Sequence, residues 1–173
     1  MTETRLRPLQ PAPPLAVPTV GRGLWRLDAA KPERFTMIVF YRGLHCPVCK
    51  SYLRLLDTRV DDFGARGVDV VAVSGDDEAR AVRTVKEWDL KHVTVGYGQS
   101  IASMREWGLY VSNGIKPDEP VQFGEPGLFL IRPDGTLYYI AVTSMPFGRP
   151  SIPDMLGAID FIIAHDYPAR GEA

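Results

Sequence analysis

The chain has 173 residues, 45% hydrophobic and 24% charged, with 20 Lys and Arg against 21 Asp and Glu for a net charge of −1. That length suits one domain over residues 1–173 with a sizeable core, and the charge balance argues against nucleic acid or an anionic membrane as partner. No apolar run reaches the length of a membrane span, and Met1-Thr2-Glu3-Thr4-Arg5 leads into prolines rather than an apolar leader segment, so a cytoplasmic location is expected.

In chain order, residues 1–35 read as an extended arm, because Pro8, Pro11, Pro13, Pro14 and Pro18 exclude a helix. Within it, Leu15-Ala16-Val17 and Leu24-Trp25-Arg26-Leu27 flank Gly21-Arg22-Gly23 as a short hairpin. Thr36 to Tyr41 is an apolar run of the kind that forms a central strand. From Val48 onward, Cys49, Tyr52, Leu53, Leu56, Val60 and Phe63 recur at steps of three and four, predicting a helix that Gly64 and Gly67 end. Val68 to Val73 is a second buried strand; Asp76 and Asp77 then suit a helix start, with Ala79, Val82, Val85 and Trp88 as its apolar face.

His92 to Tyr97 reads as a strand and Ser100 to Trp107 as a short helix. Gly127 to Ile131 and Thr136 to Val142 form a hairpin about Arg132-Pro133-Asp134-Gly135. A last helix opens at Ser151 and Asp154 and carries Met155, Leu156, Ile159, Ile162 and Ile163 inward. The order β-α-β-α-(β-α)-β-β-α predicts a three-layer α/β/α domain on a central mixed sheet.

The chain's two cysteines stand in His45-Cys46-Pro47-Val48-Cys49, where the first central strand runs into the first long helix. A C-x-x-C at that junction is the form of a dithiol redox centre. Free N–H groups and the macrodipole at a helix start favour a thiolate, and Pro47 suits the first helical position. In a reducing compartment such a pair is catalytic or metal-binding more often than a structural staple.

These residues resemble the thioredoxin-fold superfamily and, within it, the peroxiredoxin-like proteins of the alkyl hydroperoxide reductase/thiol-specific antioxidant family. The likeness lies in Pro11-Ala12-Pro13-Pro14-Leu15 with Trp25-Arg26-Leu27, in Phe40-Tyr41-Arg42-Gly43 running into Cys46-Pro47-Val48-Cys49, and in Gly127-Leu128-Phe129-Leu130-Ile131-Arg132-Pro133-Asp134-Gly135. Pro126 stands where thioredoxin-like proteins place a cis-proline beside the dithiol. The resemblance implies a thioredoxin-like α/β fold and a thiol oxidoreductase needing no cofactor. It implies a disulfide or peroxide substrate and recycling by a thioredoxin or glutathione system; the oligomeric state stays open.

Two motif positions depart from that family. The threonine or serine three residues before the peroxidatic cysteine falls on Gly43, and the arginine preceding the "F-I-I-D" strand is replaced by Pro126. The buried acid of thioredoxins falls on Phe40. The residues therefore favour dithiol exchange over a peroxiredoxin-type peroxide pocket.

Cys46 is read as the solvent-facing nucleophile and Cys49, one turn on and more buried, as the resolving thiol. The helix start, His45 and Arg42 all act to lower the thiol pKa of Cys46. His45 either stabilises the thiolate or relays a proton, or is a partly exposed ring that only tunes the potential; Arg42 pairs equally well with a carboxylate. Tyr41 is assigned to the core. Pro126, if cis, would let an extended substrate pair beside the dithiol. Glu125 is the nearest candidate for the missing acid, although a solvated loop charge is the plainer reading; Arg149 belongs either to the active-site face or to a helix-entry loop. Two other classes compete: a redox sensor or binding module without turnover, and a zinc site, for which only His45, His92 and His165 remain as further histidine ligands.

Overall fold

The computed structural model describes residues 5–173, so the Met1–Thr4 segment read above for a leader lies outside the described residues. Seven strands form one mixed sheet in the order β2-β1-β5-β4-β3-β8-β9. At its centre, β3 (Phe35–Phe40) runs parallel to β4 (Val68–Val73) and antiparallel to β8 (Gly127–Ile131). Every residue of β3 is buried, as its unbroken apolar run requires of a strand covered on both faces. The predicted hairpin pairs β8 with β9 (Leu137–Val142), and β5 (Thr94–Gly96) extends the sheet beyond β4. The amino-terminal hairpin, β1 (Ala16–Thr19) with β2 (Gly23–Arg26), joins the far edge through the pair Thr19 and Gly96.

Side chains alternate along β3, and the two faces build two cores. Met37, Val39 and Tyr41 pack with Leu53, Leu56 and Phe63 of helix α1 (Pro47–Gly64) and with Met155, Leu156 and Ile159 of helix α4 (Ile152–His165). Helix α2 (Glu78–Glu87) lies on the same face, with Val85 and the following Trp88 against that core. Ile38 and Phe40 face the other way, onto Met104 of helix α3 (Ile101–Glu106) and Trp107. Trp107 also holds the proline-rich arm, donating from Nε1 to the carbonyl of Pro14 at 3.3 Å. This is the expected three-layer α/β/α arrangement.

Two local expectations fail. The apolar face expected of α2 holds only in its second half: Val85 and Trp88 pack inward, but Ala79 and Val82 are exposed and Ala81 and Thr84 are buried in their place. With so few apolar residues in ten, two helical phases compete, and packing selects the one led by the small Ala81. A second, two-stranded sheet of β6 (Val111–Asn113) and β7 (Gln122–Gly124) was not foreseen, its three-residue strands being too short to show alternation.

Helix α1, which carries both cysteines, is pinned by Asp57. Its buried carboxylate accepts the backbone N–H groups of Lys91, His92 and Val93 at 2.8–3.1 Å, tying the helix to the segment entering β5. Burial opposes the charge, but the three donors outweigh it and hold the carboxyl below its ordinary pKa. Asp57→Ala should therefore lower the unfolding free energy by about 2–3 kcal/mol near neutrality. A folded pKa held below the unfolded one contributes stability above the carboxylate range and loses it as pH falls. Urea titrations should accordingly show the gap between wild type and variant closing on acidification.

Candidate active site

The elbow between β3 and α1 is shaped by Gly43 and a buried acid. Gly43 has φ +133°, and a Cβ placed there would stand 2.7 Å from Oδ1 of Asp76. Asp76 accepts from the backbone N–H of Leu44 at 2.8 Å and from Arg80 Nε at 3.0 Å. Asp77 caps α2, taking the N–H of Arg80 at 2.9 Å, so the two acids read together as a helix start have separate tasks.

After the elbow Cys46 caps its own helix. The Sγ of Cys46 accepts the backbone N–H of Cys49 at 3.2 Å, occupying the place of the usual Ser or Asp cap oxygen. Pro47 takes the first helical position, as predicted. Both cysteines are free thiols. Arg149, from the loop between β9 and α4, spans the two sulfurs, with Nη2 2.7 Å from Cys49 Sγ and 4.0 Å from Cys46 Sγ. Its Nε donates to the carbonyl of Pro146 at 2.8 Å and its guanidinium lies 4.9 Å from the ring centre of Tyr52. The sequence flagged Arg149 only as one of two open readings, and it proves to be the cation nearest the dithiol.

The pair divides one charge unequally. Cys46 is lowered to about 6, first by a hydrogen bond from the Cys49 thiol, then by the Cys49 N–H, Arg42 and Arg149, all against the cost of burial. Cys49 is driven the other way, first by burial and then by the hydrogen bond its S–H donates to Cys46. The expectation of an exposed nucleophile is corrected: Cys46 is only 1% exposed, because the tip of α1 is covered by arginine side chains rather than open to water.

His45 also departs from its expected role. Its ring packs on Phe123 at 4.6 Å between centroids, and both ring nitrogens lack a hydrogen-bond partner. Burial and then the charge of Arg42 push its pKa below the ordinary histidine value. At neutral pH it is uncharged and gives the thiolate no cation. Arg42 does so, held between Phe123, 4.7 Å from its guanidinium, and Glu125 Oε2, 3.1 Å from its Nε.

Glu125 is thus no solvated loop charge; it is 3% exposed and also accepts from Ser112 Oγ at 2.7 Å. Pro126 is buried beside it, and no described peptide bond is cis. Proline has no N–H to offer, and the Pro126 carbonyl already takes the Thr143 N–H at 3.1 Å. The cis bond on which the expected strand-like pairing of a substrate depended is thus not present.

Tyr41 sits in the core as assigned. Beyond the sulfurs, Val48, Tyr52, Leu55, Phe147 and Ile152 line a groove of about 420 Å³ that meets the site at Arg149. Among the described residues no group of three or more His, Cys, Asp and Glu side chains is placed to hold a metal ion.

Alkylation with iodoacetamide against pH should give a midpoint of about 6 for Cys46, and Cys46→Ser should remove most labelling at neutral pH because Cys49 is fully buried. Arg149→Met should raise that midpoint by roughly 1–3 pH units, the range set by one opposite charge within reach of an ionised group.

No curated protein sequence matches the chain significantly. Among solved structures, a peroxiredoxin-like protein from Aquifex aeolicus superposes with a TM-score of 0.74 at 19% identity, over 92% of this chain and 89% of that one. The reduced 2-Cys peroxiredoxin of Plasmodium vivax gives 0.74 at 20% identity over 94% and 84%. Peroxidoxin BcpB from Mycobacterium tuberculosis gives 0.73 at 13% identity over 91% and 99%. These likenesses establish the fold. The AhpC/TSA family model matches residues 8–140, well over half the sequence, and the chain therefore belongs to the AhpC/TSA family of peroxiredoxin-like thiol oxidoreductases.

Proposed function

We propose that the protein reduces hydroperoxides through Cys46, that Cys49 resolves the product, and that an external thiol reductant closes the cycle. The observation that carries this reading is Arg149, whose one guanidinium touches both sulfurs while Cys46 caps its own helix. The Cys46 thiolate attacks one peroxide oxygen and the O–O bond breaks. The departing alkoxide takes a proton to leave as alcohol or water, and Cys46 becomes a sulfenic acid. Arg42 and Arg149 are placed to stabilise the negative charge that develops on the departing oxygen.

Resolution follows from the same electrostatics. Once Cys46 is a neutral sulfenic acid, its charge no longer adds to the burial that disfavours a Cys49 thiolate, and Arg149 remains 2.7 Å from the Cys49 sulfur. Cys49 gives up its proton as it attacks Cys46, and the hydroxide expelled leaves as water. A thioredoxin- or glutathione-type reductant returns two electrons and two protons to the disulfide. The expected preference for dithiol exchange is revised by burial. A sulfur 1% exposed admits a small hydroperoxide, whereas a folded protein's disulfide must meet it in line. The groove ending at Arg149 offers an apolar approach for the organic part of such a peroxide. The reducing cytoplasm, where the dithiol form would be regenerated, is the setting this cycle requires.

Stopped-flow oxidation of the reduced protein by hydrogen peroxide and by an alkyl hydroperoxide tests the proposal. Cys46 should react at least about 100-fold faster than free cysteine, the scale of one well-placed charge-stabilising donor, and faster than it reduces insulin disulfides. Cys49→Ser should stop at a sulfenic acid that dimedone traps. Peroxide reactivity equal to that of free cysteine would refute the reading, and a single oxidation without turnover under thioredoxin or glutathione recycling would mark a sensor instead.

A further inference from the structure

A buried carboxylate is costly unless a cation and hydrogen bonds hold it. Glu125 is such a carboxylate: 3% exposed and next to Arg42, which itself bears on Cys46. It makes no contact with either sulfur. Its anchoring is nevertheless extensive. Its backbone N–H donates to the Tyr110 carbonyl at 2.7 Å and its Oε1 accepts from Ser112 Oγ at 2.7 Å, so both fixings come from the strand β6 and its lead-in. The free oxygen, Oε2, faces Arg42 Nε at 3.1 Å without hydrogen-bond alignment, an attraction of charges rather than a directed bond.

Arg42 needs such a partner. A free arginine side chain loses about 2 kcal/mol of rotamer entropy when held in one geometry, and the Phe123 ring packs against this one without fixing its direction. We infer that Glu125 is a positioning residue for the redox reaction, relaying the fixed frame of β6 through Arg42 to the sulfur of Cys46. The inference rests on the reading of Cys46 as the nucleophile. It also gives the β6–β7 sheet a purpose that its small size and separation from the main sheet do not otherwise explain.

The sign of one measurement decides it. If Glu125 were a bystander, Glu125→Gln would remove a nearby negative charge and lower the Cys46 alkylation midpoint. If Glu125 positions Arg42, the same substitution should raise the midpoint by about one pH unit, the lower end of the effect of a displaced cation. Against an Arg42→Met background the Glu125→Gln change should no longer raise it, with Arg149 left as the remaining cation in both. Ser112→Ala, which loosens Glu125 without altering any charge, should shift the midpoint upward by less and serves as the second probe should Glu125→Gln fail to fold.

A fall or no change in both single variants, or a rise that persists without Arg42, overturns the inference while leaving the nucleophile intact. A wild-type Cys46 with an ordinary thiol midpoint and no fast peroxide reaction removes the parent reading, and this one with it.

Discussion

One negative charge on a buried sulfur governs this site. Holding an ion away from water costs several kcal/mol even after the surroundings relax, whereas a hydrogen bond to a charged group returns about 1.5–3 kcal/mol. Several such contacts are therefore needed, and they come from separate parts of the chain. The Cys49 N–H comes from the first turn of α1, Arg42 from the elbow, and Arg149 from the loop entering α4. The central sheet brings these segments together because β3 and β8 are adjacent, which sets the elbow beside Glu125 and Pro126. A local property, the ionisation of one thiol, thus depends on strand order.

The family's usual threonine and arginine positions are occupied here by Gly43 and Pro126, yet the electrostatic requirement they answer is met from other places. Gly43 is committed to the elbow, where a side chain would strike Asp76. With that position closed, Arg42, one residue earlier, supplies a cation on the elbow, and its charge is balanced by Glu125 on the strand junction. The second cysteine shares the same frame. Placed three residues after Cys46, it lends the first sulfur both its N–H and its thiol proton.

Much of the fold was legible because its signals are local. The apolar runs of β3, β4 and β8 and the three-four stripe of α1 each announce burial without reference to the rest of the chain. The same holds for Cys46, Pro47 and Cys49, which one helix turn relates. Arg149 and Glu125 were not assignable in this way. Arg149 lies 100 residues from Cys49 in sequence, and a charged residue in a loop reads as solvated until the topology buries it. His45 failed for the converse reason. Sequence proximity placed it beside the thiol, but its ring packs on Phe123 instead. Val82 shows the limit for packing, since periodicity alone does not choose between helical phases when small and polar residues such as Ala81 and Thr84 fill the interior.

Placing both sulfurs on one helical turn also decides what the protein must move during a cycle. Cys46 caps the helix that carries Cys49, its Sγ already 3.2 Å from the Cys49 nitrogen, and one nitrogen of Arg149 lies within 4.0 Å of both sulfurs. The bond can therefore close by small side-chain rotations at the tip of α1, without unwinding a helix that Asp57 ties to β5. What changes on oxidation is charge rather than shape. The anion that Arg149 and Arg42 share disappears when the sulfurs join, leaving two guanidiniums beside Pro146, Tyr52, Phe123 and Glu125. Arg42 keeps a carboxylate partner in that state, whereas among the described residues no carboxylate pairs with Arg149. The electrostatic consequence of oxidation consequently falls on the loop that carries Arg149, where Ser144, Met145, Phe147 and Gly148 are already exposed, while the elbow side stays balanced.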